Sequence, residues 1–305
     1  MSAKIKTKRA NKSADVKISD PGLADAGAFW YTERHDGHSG NTFKINRIIE
    51  STQSKFQRID VVETAGLGKA LILYGSLMVA EGDHNAYNEM LAHVPLFSHP
   101  KPEDVLIIGG GDCGCLTNVL KHPEVKRATM CELDKEVVEV SKRHFPRLTA
   151  GVKDKRAKLI FRDGKNFLET TRKKWDLILL DLSDPVGPAA ELFQASFHRT
   201  IYERLNDDGI LVAQSESPFY NLDITASMYG NLSNIFPQVH LYTCHMIVYP
   251  SAYWSFTFCS KKYHPQDDFD HERYKRLARK MKNDYYNDDI HFGSFALPEF
   301  VRRAL

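Results

Sequence analysis

The sequence predicts an α/β protein in which a doubly wound parallel sheet follows a small antiparallel β domain. Three features carry this prediction: a Lys-rich opening stretch, then short alternating runs broken by glycine, then apolar runs that alternate with helical segments. They divide the chain into a disordered basic tail over residues 1–27, a β-strand domain over residues 28–80 and an α/β domain over residues 81–305.

The opening stretch is rich in Lys, Ala, Ser and Asp. It buries too little apolar surface to offset the entropy lost on ordering, and it lacks the apolar segment of a secretory signal. We therefore predict a solvated, disordered tail.

The small β domain is predicted between Phe29 and Val79. Alternating runs lie at Phe43 to Ile45, Phe56 to Val62 and Leu71 to Leu73, and glycines separate them. This spacing is typical of hairpins in an antiparallel sheet.

The α/β domain begins with Val105 to Ile108, a continuous apolar run of the kind found in strands covered on both faces. Strands and helices then alternate, which indicates a parallel sheet, and a final antiparallel hairpin closes it. The further strand candidates are Ala128 to Cys131, Lys158 to Phe161, Leu177 to Leu180, Ile210 to Ala213, Val239 to Val248 and Trp254 to Phe258, and the helix candidates are Glu136 to His144 and Phe193 to Leu205.

The composition excludes several classes of protein. The chain has 305 residues, 42% hydrophobic and 26% charged, with a formal net charge of +2. This near-neutral charge predicts no nucleic-acid partner, and no apolar run approaches the roughly 18 residues that a membrane-spanning helix needs. Five cysteines, an odd number, fit a reducing, cytoplasmic location. Cys113 and Cys115 lie two apart, but no second pair at ligand spacing completes a metal site.

A glycine-rich loop and two strand-end acids predict a nucleoside pocket. The loop from Gly109 to Gly114 directly follows the first apolar strand, where glycines let the backbone approach a ligand. Glu132 ends the second strand, where an acid can bind ribose hydroxyls, and Asp163 with Gly164 ends the third, near an adenine amino group. Capping of the following helices is the alternative role for each acid.

Asp112 indicates what kind of nucleoside binds. It places a carboxylate in the middle of a loop that phosphate-binding proteins keep free of negative charge. A carboxylate there repels a pyrophosphate and attracts a sulfonium or an ammonium. The sequence therefore disfavours NAD and favours an S-adenosyl sulfonium compound.

The fourth strand ends at Asp181, and Asp184 follows on a proline-containing loop. Both carboxylates are expected to open onto the same crevice, although turn formation is an alternative role. An aliphatic amine has a pKa of about 10, so it must lose a proton to attack. One carboxylate can accept that proton while the second aligns the amine.

Further segments belong with these motifs, and the whole set comprises Gln57, Tyr87 to Met90, His93 to Pro95, Gly109 to Gly114, Glu132 to Asp134, Asp163 and Gly164, Asp181 to Pro188, Gln214, Tyr249 to Ser251, Tyr285 to Asn287 and Phe295 to Pro298. Taken together, these segments resemble the spermidine synthases, or polyamine aminopropyltransferases, from about residue 29 to residue 305.

The resemblance implies a Rossmann-like domain of the class I methyltransferase type, assembled as a homodimer or homotetramer, with no tightly bound cofactor. It also implies transfer of the aminopropyl group of decarboxylated S-adenosylmethionine to a diamine such as putrescine, releasing 5′-methylthioadenosine, in spermidine biosynthesis.

The resemblance also implies residue roles. Asp181 would be the general base, and Tyr87 and Asp184 would hold the amine. The implied donor-binding residues are Gln57, Asn88, Gly109, Asp112, Glu132, Asp163 and Gly164, and those on the acceptor side are Asp184, Gln214, Tyr249 and Trp254. For the last two aromatics, core packing is the alternative.

Departures from the family pattern leave the acceptor open. The chain has Tyr74 where the family has Asp, Asn88 where Gln or His is common, and Cys113 where Gly is common. Agmatine, cadaverine or a longer polyamine are alternative acceptors. Transfer of a carboxyaminopropyl group, amine N-methylation and a silent polyamine-binding subunit are alternative functions.

Overall fold

The computed structural model describes residues 29–35, 38–183 and 192–305 of the chain. The predicted tail over residues 1–27 and the candidate residue Asp184 lie outside these ranges.

The N-terminal part is an antiparallel sheet with the strand order β1-β2-β3-β4-β5. The strands are β1 Phe29–Arg34, β2 Gly40–Gln53, β3 Arg58–Thr64, β4 Gly68–Leu73 and β5 Ser76–Ala80. In the first half of β3, Ile59 and Val61 are fully buried while Arg58 and Asp60 are more exposed, which is the half-buried pattern read from the sequence. The predicted antiparallel sheet is confirmed.

The turn between β4 and β5 contains one of the departures noted in the sequence. Tyr74 (φ 53°) and Gly75 (φ 88°) form a two-residue connection with positive φ at both positions. This is the geometry of a type I′ turn, which favours Asn-Gly or Asp-Gly. Tyr74 is 81% exposed, so this aromatic ring lies at the tip of a surface hairpin.

The second sheet has the strand order β11-β12-β10-β9-β6-β7-β8. Its strands are β6 Asp104–Gly109, β7 Arg127–Glu132, β8 Ala157–Phe161, β9 Trp175–Asp181, β10 Leu205–Gln214, β11 Gln238–His245 and β12 Tyr253–Ser260. The pairs from β8 through β10 are parallel, and β12 runs antiparallel to both of its neighbours. This confirms the Rossmann-like, methyltransferase-type sheet and the closing hairpin.

Helices cover both faces of this sheet: α1 His84–Ser98, α2 Gly114–Val119, α3 Lys135–His144, α4 Gly164–Thr170, α5 Ala195–Arg204, α6 Leu222–Ser233, α7 His271–Met281, α8 Asp288–Gly293 and α9 Glu299–Arg302. The predicted helices near residues 136–144 and 193–205 correspond to α3 and α5. Alternate residues of the central strands enter two separate hydrophobic cores, one on each face. No helix among the described residues is long and apolar enough to cross a membrane.

The register of the parallel strands positions the functional region. Ile108 in β6 is paired with Cys131 in β7 on one side and with Leu180 in β9 on the other. The residues that follow these three positions therefore come out at one edge of the sheet, at the carboxyl ends of the strands.

Candidate active site

The glycine-rich loop after β6 lies directly against the end of β9. The N–H of Gly110 donates a hydrogen bond to the carbonyl oxygen of Asp181 at 2.9 Å. A Cβ atom on Gly109 would lie 2.1 Å from that same oxygen, and Gly109 has a φ of +84°. Only glycine fits this position. The glycine at position 109 lets the loop approach Asp181 this closely at the edge of the sheet.

Helix α1 contributes Asn88 to the other side of the loop. Asn88 is buried, and a Cβ atom on Gly114 would lie 2.3 Å from its amide nitrogen. The Asn88 side-chain oxygen has no hydrogen-bond partner among the described residues. This buried oxygen is available to a ligand in the loop.

Asp112 lies at the start of α2. One of its carboxylate oxygens accepts a hydrogen bond from the N–H of Gly114 at 2.6 Å. Burial raises the pKa of the Asp112 carboxyl above its ordinary value. A cation bound here would favour the charged carboxylate.

Three acids meet at this edge: Asp112, Glu132 and Asp181. Burial raises the pKa of Glu132 to about 7, and the charge of Asp112 adds to that rise. Burial also raises the pKa of Asp181, with further contributions from the charges of Asp112 and Glu132. None of the three forms an ion pair with another described residue, so the crevice is a cluster of uncompensated acids.

Tyr87 is the polar neighbour of Asp181. It comes from α1 and is buried, and its hydrogen bond to Asp181 opposes the rise in the pKa of that carboxyl. The Oδ2 atom of Asp181 is itself buried and has no hydrogen-bond partner among the described residues. One carboxylate oxygen is therefore open to accept a proton.

Gln57 reaches the edge of the second sheet from the N-terminal sheet. Its side-chain amide donates to Asp134 at 3.2 Å, and the hydroxyl of Ser54 donates to the same carboxylate oxygen at 2.6 Å. The N–H of Asp134 in turn donates to Glu132 at 2.8 Å. A chain of hydrogen bonds thus joins Gln57 to Glu132.

Asp163 follows the end of β8, and it plays the alternative role considered for it, that of a helix cap. Its exposed side chain caps α4 by accepting a hydrogen bond from the N–H of Asn166 at 2.7 Å. Gly164 is buried, and a Cβ atom there would lie 2.4 Å from Ile108. Gly164 thereby allows α4 to pack closely on β6.

A model of the spermine/spermidine synthase domain matches residues 84–283, and a model of the spermidine synthase tetramerisation domain matches residues 29–81.

The chain belongs to the spermine/spermidine synthase family.

Curated relatives and solved structures agree with this membership. A polyamine aminopropyltransferase of Caldicellulosiruptor saccharolyticus is 41% identical over 276 residues, which cover 90% of this chain and 98% of the relative. One of Methanocaldococcus jannaschii is 40% identical, covering 90% and 94%. A spermidine synthase solved with the transition-state analogue AdoDATO has a TM-score of 0.88 at 40% identity, covering 91% and 94% of the two chains. The spermidine synthase of Thermotoga maritima has a TM-score of 0.84 at 39% identity, covering 90% and 94%.

The protein is therefore an aminopropyltransferase. Gln214, which the sequence predicts on the acceptor side, is the last residue of β10. Ala213 is paired with Leu180, so Gln214 follows at the level of Asp181. Gln214 is buried, and its amide is engaged with Glu216 in both directions: its oxygen accepts from the Glu216 N–H at 3.0 Å and its nitrogen donates to the carboxylate at 3.3 Å.

Glu216 is a residue of this enzyme that the sequence did not single out. It is 2% exposed and has a φ of 67°, in the left-handed region. Asn221 donates a hydrogen bond to its carboxylate at 2.9 Å. Residues other than glycine seldom adopt this conformation, and the sequence signal for Glu216 was a second polar residue two positions after Gln214.

Tyr249 and Trp254 belong to one aromatic cluster of the enzyme with Tyr87. The ring of Tyr249 lies 5.5 Å from that of Tyr87 and 4.6 Å from that of Trp254. The hydroxyl of Tyr249 donates to the carbonyl oxygen of Met78 at 2.9 Å. Trp254 is buried, and its indole N–H has no hydrogen-bond partner among the described residues. The cluster thus lies between the N-terminal sheet and Asp181.

The described residues contain neither a disulfide nor a cluster of metal ligands. The five cysteines are buried and unpaired. Among the described residues, no group of three or more His, Cys, Asp or Glu side chains is placed to hold a metal ion.

Proposed function

We propose that this enzyme transfers the aminopropyl group of decarboxylated S-adenosylmethionine to the primary amine of a diamine such as putrescine. The observation that carries the proposal is the cluster of Asp112, Glu132 and Asp181, three partly buried acids with raised pKa values and without ion-pair partners among the described residues. Buried charges need compensation. The proposed donor brings a sulfonium and an ammonium, and the acceptor brings a further ammonium.

The donor is proposed to bind along the carboxyl edge of β6, β7 and β8. Glu132 would accept hydrogen bonds from the ribose hydroxyls, with Gln57 supporting this side through Asp134. Asp163 and Gly164 would lie nearest the adenine. The free side-chain oxygen of Asn88 and the carboxylate of Asp112 would then receive the aminopropyl end, with its ammonium on Asp112.

The reaction proposed at Asp181 is a direct displacement. The amine nitrogen attacks the carbon bonded to sulfur, the new C–N bond forms, and the C–S electron pair leaves with sulfur as neutral 5′-methylthioadenosine. The unpartnered oxygen of Asp181 accepts the proton that the nitrogen loses. The raised pKa of Asp181 suits this role, because it brings the affinity of the carboxylate for a proton closer to that of the amine.

The second nitrogen of the acceptor is proposed to bind on the side of β10. Gln214 and the buried carboxylate of Glu216 lie there, and Glu216 already accepts hydrogen bonds from Gln214 and Asn221. The rings of Tyr249 and Trp254 would enclose the methylene chain between the two nitrogens. We also propose that Asp184 contacts the attacking amine.

We propose that the subunits assemble through the N-terminal sheet, because the family model that matches this part of the chain is that of a tetramerisation domain. Phe29, Trp30 and Ile48 are each at least half exposed on this sheet. We propose a homodimer or homotetramer whose contacts cover these side chains. The cytoplasmic location stays a prediction.

The acid cluster leads to a prediction about pH. Glu132 holds its proton up to a pH of about 7 in the folded protein, whereas an unfolded glutamate releases it near 4.5. Between these values the folded state binds more protons than the unfolded state, so the three acids make the ligand-free protein less stable as pH rises from about 4.5 to 7.

The positive charges of a bound donor compensate the negative charges of these carboxylates. The rise in melting temperature caused by decarboxylated S-adenosylmethionine should therefore grow over the same pH range. Thermal unfolding with and without donor measures both effects. An equal donor effect at pH 5 and pH 7.5 would contradict the proposal.

The test of the function is a product assay. Purified enzyme is incubated with decarboxylated S-adenosylmethionine and, separately, putrescine, agmatine, cadaverine or spermidine, and mass spectrometry follows the products. We expect 5′-methylthioadenosine together with one dominant aminopropylated amine, which identifies the acceptor. Products only from intact S-adenosylmethionine would reject the proposed donor, since carboxyaminopropyl or methyl transfer gives different masses.

A further inference from the structure

A basic cleft lies at the amino-terminal edge of the second sheet, away from the acid cluster. It has a volume of about 400 Å³ and extends between the starts of β7, β8 and β9 and helix α4. Arg127 begins β7 and Glu132 ends it, so roughly 16 Å of strand separates the cleft from the donor side, at 3.3 Å per residue. The cleft is therefore distinct from the active site.

The cleft is strongly cationic. Six of its lining residues carry a positive charge, and no Asp or Glu among the described residues lines it; the six are Lys126, Arg127, Lys155, Arg156, Lys158 and Lys173. For comparison, the whole chain has a formal net charge of only +2. The positive charge is thus concentrated locally.

Neighbouring acids compensate only part of this charge. Glu103 pairs with Lys126, Asp104 with both Arg127 and Lys173, and Asp154 with Arg156. Three carboxylates thus serve four of the six cations, which leaves three positive charges in excess.

Lys155 and Lys158 carry two of these excess charges. Both side chains are exposed, and neither forms a hydrogen bond or ion pair with another described residue. Long, flexible ammonium side chains of this kind can reach an anion in the cleft.

The floor of the cleft offers neutral donors beside apolar surface. Thr129 and Trp175 are nearly buried and both line the cleft, together with Phe167 and Ile160. The indole N–H of Trp175 has no hydrogen-bond partner among the described residues. An unpartnered buried donor of this type calls for an acceptor, such as a ligand oxygen or a water molecule.

We propose that this cleft binds a small anion with two or more closely spaced phosphate groups. Three excess charges exceed what one carboxylate can neutralise, and phosphate oxygens can accept from ammonium, hydroxyl and indole donors together. The concave shape favours a compact ligand over an extended polymer. The proposal concerns a second site and does not depend on the transfer reaction.

Isothermal titration calorimetry of the full-length enzyme with pyrophosphate, without divalent cations and at fixed ionic strength, tests the proposal. We expect saturable binding to the unaltered protein and an affinity at least about tenfold lower for Lys155→Ala/Lys158→Ala, because two charge-assisted contacts are lost. The matched control is Arg279→Ala/Lys280→Ala, which removes the same charge from exposed positions of α7 and should change the affinity less than twofold.

A third variant separates direct contact from general attraction. Thr129→Val keeps the side-chain shape and all charges but removes one hydroxyl, so weaker binding with the same salt dependence would support a specific site. No saturable binding of pyrophosphate would overturn the proposal. Equal losses in the two double variants would overturn it as well. Tighter binding of a single-stranded oligonucleotide than of pyrophosphate would overturn the assignment to a small anion.

Discussion

Replacing Asp181 with asparagine is expected to lower kcat for aminopropyl transfer about a hundredfold or more. Asparagine has nearly the same shape but cannot accept the proton that the amine nitrogen must lose. The carboxylate oxygen proposed for this step is buried and has no hydrogen-bond partner among the described residues. No described group bonded to that oxygen could therefore accept the proton in its place. Single-turnover and steady-state assays with decarboxylated S-adenosylmethionine and the dominant amine measure the effect.

The stability of the Asp181→Asn variant separates a chemical role from a structural one. The raised pKa of Asp181 means that the folded protein disfavours its charge, so the variant should be as stable as the unaltered enzyme at pH 8, or more stable. Binding of 5′-methylthioadenosine should change less than about threefold, since the nucleoside does not use the base. As a matched control, Asp207→Asn removes a carboxylate whose side chain is fully exposed and should leave kcat unchanged. Activity of Asp181→Asn close to that of the unaltered enzyme would remove Asp181 from the role of base.

The convergence of Asp112, Glu132 and Asp181 could be predicted from the sequence because it follows from local patterns. Continuous apolar runs mark the parallel strands, and the carboxyl ends of such strands share one edge of the sheet. The register observed for β6, β7 and β9 brings the three acids together in that way. What the sequence could not supply is their mutual influence on pKa, which depends on burial.

Contacts between distant segments could not be predicted in the same way. Gln57 bonds to Asp134, 77 residues further along the chain, and Tyr249 bonds to the carbonyl of Met78, 171 residues earlier. No periodicity or turn signal encodes such pairs, because packing of the two sheets decides them. The same holds for Glu216, since its burial and positive φ follow from its neighbours in three dimensions.

Asp163 illustrates the limit of reasoning from position alone. Its place at a strand end fits both an adenine-binding acid and a helix cap, and the structure contains the capping hydrogen bond to Asn166. Capping uses one carboxylate oxygen and leaves the other for a ligand, so binding of the adenine stays a prediction. A strand-end acid is thus a weaker indication of function than a buried carboxylate oxygen without a hydrogen-bond partner, such as Oδ2 of Asp181.

Replacing Asp112 with asparagine is expected to raise the KM for decarboxylated S-adenosylmethionine by a factor of about 30 to 100. The ammonium of the donor would lose its carboxylate partner in a buried site, where such a loss costs several kcal/mol at most. The asparagine oxygen can still accept the hydrogen bond from Gly114, so the loop should keep its conformation. Steady-state kinetics at a saturating amine concentration measure the change.

Comparison of two ligands and two variants assigns the contact. 5′-Methylthioadenosine shares the nucleoside with the donor but lacks the aminopropyl ammonium, so Asp112→Asn should weaken its binding less than about threefold. Glu132→Gln is the matched variant: it removes the acid proposed to bind the ribose, which both ligands carry, so it should weaken both by similar factors. If Asp112→Asn also weakened both ligands equally, Asp112 would act on the nucleoside or on the loop rather than on the ammonium. A loss confined to the donor would identify Asp112 as the residue that distinguishes the substrate from its own nucleoside product.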